Sequence, residues 1–315
     1  MCPDPPAGST MAEVLGSARR LTLSIESELV PSPVSCDVLL PPSHHTAAGL
    51  PLVLALHGGD GGIGFIDIIE AAIGPLWAQG ALRDLIVLAP SSGRSFWVDW
   101  RDGSQRWETW LRRELLPRAR SEFDAATAPE STLLFGLSMG GLGALRLAFK
   151  TPEQFGAVAA MEPGIEPALA WEEITEEHRA YRPLSLLTQF FGDPIDTGYW
   201  AANQPPAIAV ANAAAIRDSG VQIRFECGDE DSLRLYEGAE FLHRLLQDLG
   251  VLHDYHLVRG ADHVGPSLIR RTAESFGFLS WALDAPTPDQ QRDDLLANLE
   301  ALRDLLQQAR SPSRP

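Results

Sequence analysis

The stretch Thr132 to Ala148, TLLFGLSMGGLGALRLA, passes from β-branched and apolar residues through a glycine-dense join into a helical pattern, with one serine at the join. Glycine weakens strand and helix interiors alike, so Gly136, Gly140, Gly141 and Gly143 together need a structural reason. That reason is a turn so sharp that neighbouring backbone passes where β-carbons would sit. Gly136-Leu137-Ser138-Met139-Gly140 fits G-x-S-x-G, and an expected buried strand before it and helix after it give the pattern its meaning. Such a turn forces Ser138 into a strained conformation and projects it from a sheet edge. The new helix aims its first amides, Met139 N–H among them, at negative charge near the serine. A glycine-rich turn with an idle serine is the bland alternative, and the coincidence of strand, turn, helix and motif weighs against it.

The rest of the chain supplies the sheet that such a turn needs. Between Arg19 and Leu40, RLTLSIESEL and VSCDVLL flank VPSP and read as an antiparallel pair. PLVLALHGG is a continuous apolar run, expected of a strand buried on both faces, and DLIVLAP, STLLFG, FGAVAAMEP, VQIRFECG and LHDYHLV read as further strands. Helical patterns near 64–79, 104–122, 139–150, 235–249 and 265–283 alternate with them. The alternation predicts an α/β fold, a mostly parallel central sheet with an antiparallel N-terminal pair and helices on both faces. Residues 162–207 interrupt it with an aromatic, acidic insert, expected to cap the sheet edge. Three regions follow: 1–17 as an extension without fixed structure, with Met1 or Met11 as the start; 18–285 as the main domain; and 286–315 as a helix and tail. Leu295, Leu299, Leu302 and Leu306 share one face of that last helix, which packs on the body or, alternatively, joins subunits.

Charge narrows the partners. Among 315 residues, 42 are acidic and 25 basic, a formal charge of −17, so neither nucleic acid nor an anionic membrane is an expected partner. Cys2, Cys36 and Cys227 form an odd, sparse set that suits reduced thiols in a cytoplasmic protein. The N-terminal residues lack a basic region followed by an apolar run, and nothing approaches the ~18 apolar residues of a membrane span, so neither a secretory signal nor a span is expected. No His/Asp/Cys set has ligand spacing, and no phosphate- or dinucleotide-binding motif is complete, so neither metal nor cofactor is expected.

A serine hydroxyl needs a base to become a nucleophile, and the base needs an orienting acid. His263, in the glycine-flanked loop VRGADHVGPS after the last strand, is the favoured base. His253 and His256 lie in that strand, His243 in a helix, His178 in the insert, and His44 and His45 in an early loop. ECGDED ends a buried strand with Asp229, Glu230 and Asp231. Asp231 is preferred as the acid because the turn begins at Gly228; Asp229 is its rival, and solvated helix-capping is the bland reading of all three. An oxyanion needs preorganised donors, and the loop LHGGDGG supplies the Gly59 N–H to pair with that of Met139, or else a donor at Asp60. His57 is read as a structural hydrogen-bonding residue. Trp97 and Trp100 are read as a substrate-pocket wall, Trp107 and Trp110 as helix packing, and Glu162 as a surface or loop-fixing group rather than a catalyst. Large rings without a charged anchor favour a neutral, hydrophobic substrate.

With these motifs the chain resembles the α/β-hydrolase fold, and within it the esterase group that includes esterase D, tributyrin-type esterases and mycolyltransferases. LHGGDGG, PSSGRSFWVDWRDGSQRWETWLRREL, GLSMGGLGAL, FFGDPIDTGYWAANQPP, ECGDED and DHVGPS carry the resemblance, over roughly residues 20–283. It implies Ser138 as nucleophile, Asp231 as acid and His263 as base. The tail beyond about Pro286 and the long acidic insert depart from the group and bear on substrate and assembly. The expected activity is a serine carboxylic-ester hydrolase, acting through an acyl-enzyme on a neutral, fairly hydrophobic small ester. An acyltransferase on the same triad is the alternative, and a non-catalytic binding protein on this fold the remote one.

Overall fold

The apolar runs become eight strands of one sheet: β1 (Arg19–Ile25), β2 (Val34–Leu40), β3 (Leu52–Leu56), β4 (Ile86–Pro90), β5 (Thr132–Leu137), β6 (Ala157–Met161), β7 (Gln222–Gly228) and β8 (Asp254–Val258). The structure is a computed structural model that describes residues 18–59, 62, 64–178, 182–285, 296–303 and 305. The expectations for residues 1–17, Asp60, Leu295 and Leu306 lie outside the described residues. Strand order is β1-β2-β4-β3-β5-β6-β7-β8. β2 runs against both its neighbours, and every other pairing is parallel.

Each of β3, β4, β5 and β6 is buried at every position, because both sheet faces are covered. Alternation along β5 divides the core. Leu133, Phe135 and Leu137 join Phe65, Ile69 and Ile73 of helix α1 (Phe65–Ala78) and Phe276 and Leu279 of the last helix on one face. Leu134 joins the other face, under α2, whose segments are Trp107–Trp110, Leu111–Leu115 at π pitch and Leu116–Phe123, and under α3 (Met139–Lys150). β8, like β1 at the opposite end, is an edge strand, and it is half exposed.

The insert expected at 162–207 contains α4 (Leu184–Phe191) and α5 (Thr197–Ala201), but its end is not a loop. Residues from Pro205 begin α6 (Pro205–Ser219), which the sequence reading did not separate. Parallel β6 and β7 require a crossover, and α6 provides it. Its sequence hides this role: of PPAIAVANAAAIRDS only Pro205, Pro206, Ile208, Ala209 and Ile216 are buried, too sparse a stripe to read. α7 (Tyr236–Asp248) and α8 (Leu268–Ala282) complete the fold. The chain divides into two units after Leu283; in the second, residues 296–303 are helical. Among the described residues no helix is long and apolar enough to cross a membrane.

The join between β5 and α3 is where backbone is most crowded. Ser138 stands there at φ 57° and ψ −115°, strained for a residue with a side chain. A β-carbon on Gly136 would lie 2.2 Å from the Gly140 carbonyl oxygen, and one on Gly140 would lie 1.9 Å from the Leu56 carbonyl oxygen at the end of β3. Backbone cannot yield as a flexible side chain can. Gly140→Ala is therefore expected to lower unfolding stability by about 3 kcal/mol or to prevent folding; urea denaturation measures it, and a loss under about 1 kcal/mol contradicts the crowding.

Candidate active site

β5 ends on the elbow, and the loops after β6, β7 and β8 arrive at the same sheet edge. Ser138 is half-buried there, its N–H bonded to the Met161 carbonyl (2.8 Å) and its carbonyl to the N–H groups of Leu142 (3.0 Å) and Gly164 (3.1 Å). The main chain thus holds the serine from β6 as well as from its own helix. The loop after β7 brings Asp231, which is 2% exposed. Its Oδ1 accepts from Leu233 N–H (2.6 Å), and its Oδ2 lies 2.9 Å from Nδ1 of His263. Gly228 starts that loop because a β-carbon there would meet the Ala261 carbonyl oxygen at 2.0 Å. Burial would raise the Asp231 pKa, but the bonds with His263 and Glu162 outweigh it and hold the carboxyl below the usual range.

The structure therefore brings His263 and Asp231 together and sets Ser138 on the same rim. Among the described residues no hydrogen bond joins the Ser138 hydroxyl to the His263 ring. Asp229 does not compete for the ring: it is exposed, and its Oδ1 accepts from Gly260 N–H (2.6 Å). Asp262, which the sequence reading passed over, pins the histidine loop by accepting from the N–H groups of Ser232 (2.9 Å) and His263 (2.6 Å). Its neighbour in sequence, His263, gave the only local signal.

Behind Asp231 lies a buried polar cluster that no linear spacing shows. Glu162, expected as a surface or loop-fixing group, is not at the surface: it is fully enclosed, at φ 45°, and it holds the backbone at the end of β7. Its Oε1 accepts from Gly228 N–H (3.0 Å) and from Arg271 Nη2, while the Cys227 thiol donates to Oε2 (2.7 Å). Arg271, 1% exposed on α8, also bonds Glu226 on β7 through Nε (2.8 Å). One guanidinium thus ties α8 to β7 and to the β6 loop. Burial first, then the bond to Asp231, pushes the Glu162 pKa up to about 7 against the pull of Arg271; burial also raises that of Glu226. Glu162, Asp231 and His263 place one ligand atom each within 4.8 Å, but these groups are already bonded to one another and to Arg271.

Gly59 and Met139 line the same cavity as Ser138, and neither N–H has an acceptor among the described residues. His57 holds their loop: its Nδ1 lies 2.6 Å from the Gly58 carbonyl oxygen, and its Nε2 accepts from Ser92 N–H (3.0 Å). That accepted bond leaves the ring proton on Nδ1. The cavity, about 130 Å³, is lined by Phe96, Leu142, Leu233 and Leu235, with Leu186 and Arg182 from the insert and Arg94 beside Gly59. Arg182 pairs with buried Glu166 (2.7 Å).

Trp97 needs correction as a pocket wall. It is wholly enclosed, stacked edge-on against His57 at 4.9 Å, with Nε1 donating to the His57 carbonyl. Phe96 faces the cavity instead. Both residues have positive φ, and the buried Arg146 of α3 fixes their loop by donating twice to the Phe96 carbonyl (3.0 and 3.1 Å). Trp100 is half-buried and lines the adjoining groove with Arg94 and Leu186. Trp107 and Trp110 are packed in the core, as their helical spacing suggested.

A strained serine between β5 and α3, in a sheet of this strand order, defines the α/β-hydrolase fold. The chain belongs to the family described as Putative esterase, whose model matches residues 27–265. It is 30% identical over 179 residues to the MPT51 antigen of Mycobacterium leprae, a match that covers 53% of this chain and 56% of that protein. The chain thus spans about half the length of this curated relative. Among solved structures it is similar to a ferulic acid esterase (TM-score 0.69, 20% identity, 85% of this chain and 99% of that one). It is also similar to an S-formylglutathione hydrolase from Agrobacterium tumefaciens (TM-score 0.65, 19% identity, 85% and 95%).

Removing the shared guanidinium leaves two buried carboxyls without their common cation. Arg271→Met is expected to cost about 3–5 kcal/mol at neutral pH. Glu162 already titrates above its unfolded value, so its burial is tolerated fully only below the unfolded pKa and loses stability as pH rises through about 7. The variant's deficit should therefore be smaller at about pH 5 than at about pH 8, as read by urea denaturation at each; a pH-independent deficit contradicts the assignment.

Proposed function

We propose that the protein is a serine carboxylic-ester hydrolase working through an acyl-enzyme on a small, neutral, fairly hydrophobic ester. The observation that carries this reading is the strained Ser138, on a cavity it shares with the amides of Gly59 and Met139, which have no acceptor among the described residues. Ser138 Oγ attacks the carbonyl carbon, and its proton passes to Nε2 of His263, whose Nδ1 is engaged by Asp231. The Gly59 and Met139 amides and the N-terminus of α3 stabilise the oxyanion. Collapse breaks the ester C–O bond, and His263 returns the proton to the leaving alcohol. Water then repeats the sequence in reverse: His263 takes its proton, its oxygen attacks the acyl carbon, and Ser138 leaves as the free alcohol.

The cavity supports the substrate class. Its walls are mainly aliphatic and aromatic; of its two guanidinium groups, Arg182 is paired with Glu166 and Arg94 donates through Nε to the Gly59 carbonyl (3.1 Å). A volume near 130 Å³ suits a short acyl group. Ser138→Ala should lower kcat/KM on p-nitrophenyl acetate by about four orders of magnitude, while a fluorophosphonate probe labels the wild type only. Turnover that survives the substitution would sink the reading. Lengthening the acyl chain past about six carbons should raise KM; a preference for long chains would contradict the small cavity.

A further inference from the structure

The position behind His263 holds two carboxyls rather than one. Glu162 follows β6 and Asp231 follows β7, and with His263 they bring one ligand atom each within 4.8 Å. Both carboxyl groups are buried and lie beside each other, and a proton on one of them would turn their repulsion into a hydrogen bond. The Cys227 thiol lies 2.7 Å from Glu162 Oε2 and 3.8 Å from Asp231 Oδ2, so both oxygens border one neutral neighbour. Every element around Glu162 contributes to its surroundings: Cys227 and Gly228 N–H from β7, Arg271 from α8, Tyr255 from β8, and Asp231 with His263 beyond it. Among the described residues the cation in contact with Glu162 is Arg271, which is already divided between Glu162 and Glu226. Ionising Glu162 beside the Asp231 carboxylate would put two like charges in one desolvated site, which disfavours the second charge. Asp231, with the His263 and Leu233 donors, is the better site for the charge.

We propose that Glu162 is a positioning residue for the base: its carboxyl and that of Asp231 share one proton, so the pair presents a single negative charge to His263. The proposal rests on the hydrolase reading only in calling His263 the base. The burial-driven rise of the Glu162 pKa to about 7 agrees with it. As pH rises through that value Glu162 ionises and a second negative charge appears near the imidazole. Glu162→Gln keeps a donor to Asp231 but never develops that charge.

Infrared spectra of the whole protein test the shared proton. At about pH 6 the wild type should show the carbonyl band of a buried carboxylic acid, lost by about pH 8.5, whereas exposed carboxyls are ionised at both. Glu162→Gln should remove the band. Asp231→Asn, which leaves Glu162 in place without its anionic neighbour, should weaken it at about pH 6. In the wild type the His263 ring resonances should show an added inflection as pH rises through about 7, where Glu162 ionises, and Glu162→Gln should abolish it. A wild type with no such band overturns the proposal. So does a band that survives Glu162→Gln, which would belong to Glu226, or, if that variant fails to fold, a band unchanged by Asp231→Asn. The spectra require no turnover. A shared proton beside an inert Ser138 would sink the hydrolase reading alone, and its absence beside Ser138-dependent turnover would sink the carboxyl pair alone.

Discussion

The carbonyl of Leu56, at the end of β3, passes so close to the start of α3 that only a residue without a side chain fits at 140. That approach fixes the angle at which α3 leaves the sheet, and with it the strained backbone of Ser138. It also brings the loop after β3, with Gly59, against the serine: a β-carbon on Gly58 would lie 3.4 Å from that of Ser138. The strain is local, but its support is tertiary. The Ser138 main chain is held by β6 and by Gly164, so the elbow cannot relax without disturbing the neighbouring strand.

A second constraint secures the other side of the rim. Arg271 reaches from α8 under the sheet edge to carboxylates on β7 and after β6, and the turn after β7 packs against the carbonyl of Ala261 in the histidine loop. Buried ion pairs of this kind add little net stability, because desolvation consumes most of their attraction. Their effect is specificity of arrangement: the cluster is satisfied only when β6, β7, α8 and the histidine loop meet in one register. Asp262 adds a further pin by joining the loops of Asp231 and His263.

The cavity wall depends on a third device, the buried Arg146. Its guanidinium donates to the Phe96 carbonyl and to that of Asn203, and so ties the aromatic loop to the segment before α6. Phe96 then packs on Phe190 of α4 at 4.6 Å, which seats the insert beside the Ser138 cavity. An arginine in the middle of an apolar helix therefore organises the cavity wall without lining it.

Much of this was legible in the chain. The apolar runs and turn residues placed all eight strands in chain order, while the crossover helix α6 was not separated from the insert. The pattern G-x-S-x-G, the loops ECGDED and DHVGPS and the glycines after β3 marked the segments that carry Ser138, Asp231, His263 and Gly59, because each is bound by local rules: positive φ, close backbone approach, a polar residue just past a strand. What the chain did not reveal was the company each residue keeps. Trp97 carries the same signal as a pocket aromatic and lies in the core; Glu162 carries that of a surface carboxylate and lies sealed beneath Asp231. Linear sequence determined the strand–serine–helix join, since crowding at a tight turn acts over a few neighbouring residues. Only the tertiary structure decided which carboxyls, arginines and rings share an interior, because desolvation and charge pairing depend on groups up to 109 positions apart in the chain.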